Sequence, residues 1–348
     1  MNTRRFHIRP LDAASDHSAI IECAEILKRG GLVAIPTETV YGLAGNALDS
    51  ASVARIFEAK QRPSWDPLIV HVSDFEMVGR VAQEFPIKVR ELAEQFWPGP
   101  LTVLLRRSPE LPPSVTAGGD IVGVRMPAHP VARTLIAAAN TPLAAPSANR
   151  FGRTSPTTAE HVLRDLDGRI DAVLDAGPTS VGIESTVINA LTTPAVLLRP
   201  GGVTREQLES VLGPIDVYRV TPGVEAKVVA SPGLTSRHYA PQAKLVLIHG
   251  SREALLDAIH KHVAYEGDRG EYVGVMAPKD WLEEAALASG GLVLFDWGTW
   301  GDWAQLARNL FSGLRYLDKP GVSAILCPLP SEEGLGLALR DRLMRAAQ

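Results

Sequence analysis

With 348 residues, the chain exceeds a usual single-domain length, and its 45% hydrophobic and 21% charged residues suit two globular domains with ordinary cores. A formal net charge of -4 argues against a binder held on nucleic acid by bulk charge, while leaving room for a nucleotide held by a few local cations. The two cysteines, Cys23 and Cys327, lie far apart without metal-ligand spacing, so both are expected as buried thiols.

The first ten residues carry Arg4, Arg5, Arg9 and His7 with no apolar run behind them, and no later stretch is long and apolar enough for a bilayer. A cytoplasmic protein is expected. Ile20 to Lys28 has apolar residues at helical spacing, and Leu32 to Pro36 reads as a buried strand. A helix is predicted from about Ser50 to Lys60, with Val53, Ile56 and Phe57 on one face, followed by a strand at Leu68 to Val72. Leu101 to Leu105 and Ile121 to Met126 are further strands, and Val131 to Ala139 an alanine-rich helix. Ala172 to Leu174, Thr186 to Asn189 and Ala195 to Leu198 follow as strands. A helix capped by Thr204 and stopped by Gly213-Pro214 closes the unit.

From Ile215 to Ala243 the periodicity fades, and turn formers such as Ser231-Pro232-Gly233 mark a long connection. Beyond it, strands at Leu245 to His249, Tyr272 to Met276, Leu292 to Phe295 and Ala324 to Cys327 alternate with helices. These run from Arg252 to His262, Trp303 to Leu317 and Gly334 to Ala346, the pattern of a small parallel α/β sheet. The predicted organisation is a domain over 1–214, a linker over 215–243 and a second domain over 244–348.

The common nucleotide and hydrolase signatures are missing: no G-x-x-x-x-G-K-[ST], no G-x-G-x-x-G after a strand, no H-E-x-x-H and no G-x-S-x-G. Four other clusters stand out. Pro36 to Leu43 (PTETVYGL) places hydroxyls directly after a strand, where a ligand site and a self-satisfied turn are both open readings. Lys60 and Arg62 enter a proline-stiffened loop, as a phosphate clamp or as cations favouring a helix C-terminus. His71 ends an apolar strand, where a satisfied polar end is the plainer reading. Arg125 interrupts an apolar strand and must be paired, by a substrate carboxylate or by a structural Asp or Glu. Ser147 and Asn149 follow another short strand, Ser155 continues the polar loop, and Glu184-Ser185-Thr186 precedes Arg199. Many hydroxyls, three arginines and a lysine, without a nucleophile and its base, suit binding of a polar amino acid and a polyphosphate, with catalysis by positioning and charge neutralisation.

In order and spacing, PTETVYGL, KxR with PL at Lys60 to Leu68, PGPLT at Pro98 to Thr102, VRMP at Val124 to Pro127, APSAN at Ala145 to Asn149, ESTV at Glu184 to Val187 and LRPG at Leu198 to Gly201 run through the chain. With SPG…RHYAP at Ser231 to Pro241, they resemble the threonylcarbamoyl-AMP synthase family in its long, two-domain form. The resemblance implies a YrdC-like twisted mixed sheet with helices, then a small Rossmann-like parallel domain. It implies a nucleotidyltransferase that makes threonylcarbamoyl-adenylate and pyrophosphate from L-threonine, bicarbonate and ATP, with Mg2+ carried on the nucleotide. The product would pass to a tRNA threonylcarbamoyl transferase complex acting beside the anticodon.

By motif, Thr39, His71, Arg125, Ala145 and Ser185 would surround threonine. Arg62, Asp66, Ile121, Ser147, Ser155 and Arg199 would meet ATP, with His238 or Tyr239 of the linker folding over it, and Lys60 with Arg62 would neutralise phosphate at the reacting centre. Asp66 departs from the family's frequent Asn, and its charge beside a polyphosphate calls for a compensating cation. Two rival readings are a double-stranded RNA-binding or ribosome-assembly factor, against which the acidic net charge speaks, and a carbamoyl-phosphate adenylating module, whose CxxC pairs are absent.

Overall fold

The computed structural model describes residues 2–8, 13–218, 239–267, 270–288 and 290–348. The chain divides into two units. The first comprises Met1–Phe151, Ser155–Ser180 and Glu184–Thr235, the second Gly152–Thr154, Val181–Ile183 and Ser236–Gln348.

In chain order the first unit holds β1 (Arg4–His7), α1 (Ala13–Lys28), β2 (Val33–Ile35), β3 (Gly42–Asn46), α2 (Ser50–Lys60), β4 (Ile69–His71), α3 (Ile87–Phe96), β5 (Leu101–Arg106) and β6 (Ile121–Arg125). It continues with α4 (Pro130–Ala139), β7 (Leu143–Ala144), α5 (Ala159–Leu166), β8 (Ala172–Asp175), β9 (Thr186–Asn189), β10 (Val196–Arg199), α6 (Arg205–Leu212) and β11 (Asp216–Val217). Among the described residues the strands form one eleven-stranded sheet in the order β1-β8-β2-β3-β7-β4-β6-β5-β9-β10-β11. Parallel pairs (β1 with β8, β4 with β6, β5 with β9) occur beside antiparallel ones (β2 with β3, β5 with β6), so the sheet is mixed.

Its inner strands are mostly apolar, with both faces covered. Val33, Ala34 and Ile35 are fully buried, as are Leu101, Val103 and Leu105. Helix α2 starts where the Asp49 carboxylate accepts from the Ala51 amide at 3.0 Å, and it ends at Gln61 in the left-handed region, two residues before Pro63. Helix α6 opens on a full capping box between Thr204 and Gln207. Inside the stretch predicted as linker, β11 adds a two-residue edge strand beside β10, too short to carry a periodic signal. Residues 219–238 lie outside the described residues.

The second unit holds β12 (Lys244–Ile248), α7 (Arg252–Gly267), β13 (Tyr272–Ala277), α8 (Lys279–Ala288), β14 (Leu292–Asp296), α9 (Trp303–Leu317), β15 (Val322–Pro328) and α10 (Gly334–Ala346). Its four strands are all parallel, in the order β12-β15-β13-β14. Helix α9 buries Leu306, Leu310, Phe311, Leu314 and Leu317 along one stripe. It approaches closely at Gly313, where a Cβ would stand 2.6 Å from the Met276 sulfur. Arg315 donates to the Thr154 carbonyl at 2.5 Å, and Gly182 lies against the α9 backbone, where a Cβ would meet the Arg308 Cα at 2.4 Å. These approaches draw residues 152–154 and 181–183 into this unit. Cys23 and Cys327 are both buried free thiols. No helix of the described residues is long and apolar enough to cross a membrane.

Candidate active site

Strands β4 and β6 run parallel with His71 paired to Arg125, which turns both side chains to the same face. Strand β5 pairs β6 on its other side and places Leu101 opposite Thr186, so the entry to β9, with Ser185, comes next. Residues 36–41, between β2 and β3, bring Glu38 and Thr39 to this group. Within that turn the Thr37 hydroxyl donates to the Val40 carbonyl at 2.6 Å and receives the Thr39 amide at 3.2 Å, fixing the Thr39 hydroxyl 2.8 Å away.

Arg125 is the centre of this half. Its Nη2 meets Glu38 Oε1 at 2.5 Å, its Nη1 donates to Thr39 Oγ1 at 2.8 Å and its Nε to the Gly99 carbonyl at 3.2 Å. Of the two partners left open by the sequence, the structural carboxylate is the one present. The pair is nearly desolvated, with side chains 5% and 8% exposed, and Glu38 Oε2 accepts the Ala128 amide at 3.1 Å. These contacts use three of the five guanidinium protons. Beside Arg125, His71 departs in part from the satisfied polar end expected of it: Nδ1 is buried with no hydrogen-bond partner among the described residues, although the Ile69 backbone interacts with the ring. Burial first, and the Arg125 charge second, push its pKa down to about 3, so the ring is neutral. Ser185 shares its hydroxyl with Thr102 at 2.8 Å, and Arg199 holds it, with Nε on the Ser185 carbonyl at 3.1 Å. Ala145 is buried and donates its amide to the Ile69 carbonyl at 3.0 Å.

The second half starts at the end of α2. Lys60 is 1% exposed, and its ammonium donates to the Ser147 carbonyl at 2.5 Å and the Asn149 carbonyl at 2.6 Å. It thereby ties the helix end to the loop after β7. Burial and then the Arg62 charge hold its pKa well below the usual lysine range. Arg62 closes the next turn on itself, donating to the Asp66 carbonyl at 3.1 Å and the Pro67 carbonyl at 2.8 Å. Its Nη2 stands 2.9 Å from Asp66 Oδ2, so the charge of Asp66 is offset by an arginine, although neither carboxylate oxygen has an aligned hydrogen bond. Burial raises the Asp66 pKa, opposed by Arg62, Lys60 and Arg199 in that order, which puts Arg199 within electrostatic reach of this half. Ser155 donates to Glu184 Oε1 at 2.5 Å.

Among the residues proposed from sequence, Thr39, His71, Arg125 and Ser185 with Arg199 fall in one neighbourhood, and Lys60, Arg62, Asp66 and Ser147 in the adjoining one. Ile121 opens β6, four residues and roughly 13 Å from Arg125, and is 37% exposed. His238 lies outside the described residues. Glu38, Thr102 and Glu184 were given no site role from sequence. Glu38 had a usable signal, as the lone carboxylate in a hydroxyl-rich turn of a chain whose Arg125, within an apolar strand, needs a counter-charge. Among the described residues no group of three or more His, Cys, Asp or Glu could hold a metal ion.

Comparison with known proteins agrees with this layout. Residues 25–201 match the family described as "Telomere recombination" (Sua5, YciO, YrdC), and residues 203–348 match "Threonylcarbamoyl-AMP synthase, C-terminal domain". A threonylcarbamoyl-AMP synthase of Pyrococcus abyssi is 43% identical over 93% of this chain and 92% of its own length. One of Bacillus subtilis is 42% identical over 100% of this chain and 98% of its own. The crystal structure of P. abyssi Sua5 complexed with L-threonine superposes with a TM-score of 0.90 at 40% identity, covering 100% of this chain and 98% of that one.

Proposed function

Because the chain belongs to the threonylcarbamoyl-AMP synthase family, we propose that it joins L-threonine, bicarbonate and ATP into threonylcarbamoyl-adenylate, with release of pyrophosphate. It is a nucleotidyltransferase-type enzyme of tRNA modification. The observation that best supports a role for this site is the crowding of cations. Lys60, Arg62, Arg125 and Arg199 are all at least nine-tenths buried, and the ammonium of Lys60 is disfavoured by burial and by Arg62. Bound anions relieve that field, and a polyphosphate with an amino-acid carboxylate supplies them.

In this reading the two remaining Arg125 protons take the threonine carboxylate, with the Thr39 and Ser185 hydroxyls and Ala145 around the rest of the amino acid. Neutral His71 offers its unpartnered Nδ1 to a polar group of the substrate. The threonine amine condenses with bicarbonate, losing water, and a carbamate oxygen attacks the α-phosphorus of ATP as pyrophosphate leaves. Arg62, Arg199, Ser147, Ser155, Asp66, the backbone of Ile121 and His238 hold the nucleotide. Lys60 and Arg62 balance charge as it moves onto the leaving pyrophosphate. Magnesium arrives with ATP as part of the substrate. The product passes to a tRNA threonylcarbamoyl transferase complex.

The duplex-RNA reading is not favoured, because arginines buried this deeply do not reach the backbone of a double helix. The test is one incubation with ATP, magnesium, threonine and bicarbonate. Pyrophosphate should appear only when threonine is present, and release independent of threonine would refute the assignment.

A further inference from the structure

The turn that Arg62 closes has one side chain that it does not use. Arg62 donates to the carbonyls of Asp66 and Pro67, and the Asp66 amide returns to the Pro63 carbonyl at 3.2 Å. With Pro63 and Pro67 restricting the backbone, the turn is stiff, and Trp65 stands out from its tip at 41% exposure while Arg62, Asp66 and Pro67 are buried. An indole left this exposed forfeits the burial that favours large apolar side chains. Trp65 meets Phe151 edge-on, with ring centroids 6.2 Å apart and planes at 88°. Phe151 is itself fixed, its amide donating to the Lys60 carbonyl at 2.9 Å, and its ring centroid lies 5.9 Å from the Arg62 guanidinium carbon. A rigid aromatic corner therefore adjoins the cations proposed to hold phosphate.

We infer that Trp65, braced by Phe151, stacks on the base of the nucleotide whose phosphates Arg62 and Lys60 hold, and so sets the enzyme's affinity for ATP; this rests on the ATP reading given above. Stacking of a base on an aromatic side chain is sequence-tolerant and strong enough to decide nucleotide affinity.

The experiment compares wild type, Trp65→Ala and Trp65→Phe in threonine-dependent pyrophosphate release and in ATP titration of tryptophan fluorescence. Trp65→Ala should raise KM for ATP about tenfold, while kcat and KM for threonine stay within about twofold. Trp65→Phe should restore KM for ATP while abolishing most of the ATP-induced fluorescence change. Inorganic tripolyphosphate, which has no base, should inhibit wild type and Trp65→Ala equally. The inference is overturned if KM for ATP is unchanged in Trp65→Ala, if KM for threonine rises in parallel, or if ATP leaves the wild-type fluorescence unaltered. Absence of any threonine-dependent release from wild type would instead overturn the synthase reading, with the fluorescence titration still deciding the role of Trp65.

Discussion

Replacing Arg125 by alanine separates what this residue does for the fold from what it does for threonine. In the folded protein its guanidinium makes one ion pair and two further hydrogen bonds, all nearly desolvated. Removing it strands the Glu38 carboxylate, 6% exposed, with only the Ala128 amide as partner. Breaking one side of a buried pair costs about 3–5 kcal/mol, chiefly through the charge left behind. Arg125→Ala should therefore lower unfolding free energy by that amount and abolish threonine binding, with ATP affinity much less affected. Deleting Glu38 as well removes the stranded charge, so Arg125→Ala/Glu38→Ala should regain roughly 2 kcal/mol or more over the single variant without regaining threonine. Urea denaturation of the four proteins of the cycle, with calorimetric titration of both ligands, measures each quantity. Coupling below about 0.5 kcal/mol would show that the pair acts independently, and equal losses of threonine and ATP affinity would remove Arg125 from the carboxylate role.

Three further outcomes follow from neighbouring residues. His71 has a folded pKa of about 3 against 6.5 for the unfolded group, so between those values the unfolded chain binds a proton that the native one refuses. Stability should then drop as the pH is lowered below 6.5, by up to about 1.4 kcal/mol per unit, and His71→Gln should flatten the profile in urea melts between pH 6.5 and 4.5; parallel profiles would mean that the ring titrates normally. Lys60→Met leaves the Ser147 and Asn149 carbonyls without their donor, which should cost roughly 2 kcal/mol of stability. It should also raise the barrier to pyrophosphate release by on the order of 2–4 kcal/mol, whereas unchanged turnover would return Lys60 to a purely structural role. Gly201→Ala would drive a Cβ to 2.3 Å from the Thr186 amide nitrogen and 2.4 Å from the Glu184 carbonyl. The strand entry carrying Ser185 must shift, at a cost of about 1–3 kcal/mol with weaker binding of both ligands; wild-type affinities in calorimetry would contradict it.

The elements that carry strong local periodicity were legible before the structure: α2, α9, α10 and the apolar strands of both sheets. Those that escaped are short or compositionally plain. Strand β3 is Gly-Leu-Ala-Gly-Asn, which reads as a loop until β2 and β7 supply hydrogen-bond partners on either side. Helix α5 has eight residues, and α3 buries only Val89, Leu92 and Ala93, too little for a clear stripe. At the site, motif order named the residues but not their internal partners. Glu38 and Arg125 stand 87 positions apart, and Lys60 reaches Ser147 across the same interval, distances at which local pattern carries no information. The neutrality of His71 likewise rests on burial completed by the folded sheet, with a smaller push from Arg125 on the next strand.

Strand β1 has a consequence for how the protein is made. Among the described residues its one sheet neighbour is β8, and the Arg5 guanidinium that ties them reaches Asp175 across 170 positions of sequence. On the ribosome, at roughly 5–20 residues per second, the first strand waits on the order of 10–30 s before its partner has been synthesised. The nascent chain thus keeps one end of its largest sheet unpaired for most of the synthesis of the catalytic unit. Closure of that edge is a late, high-contact-order event, and the interval before it is when the growing polypeptide is most exposed to mispairing.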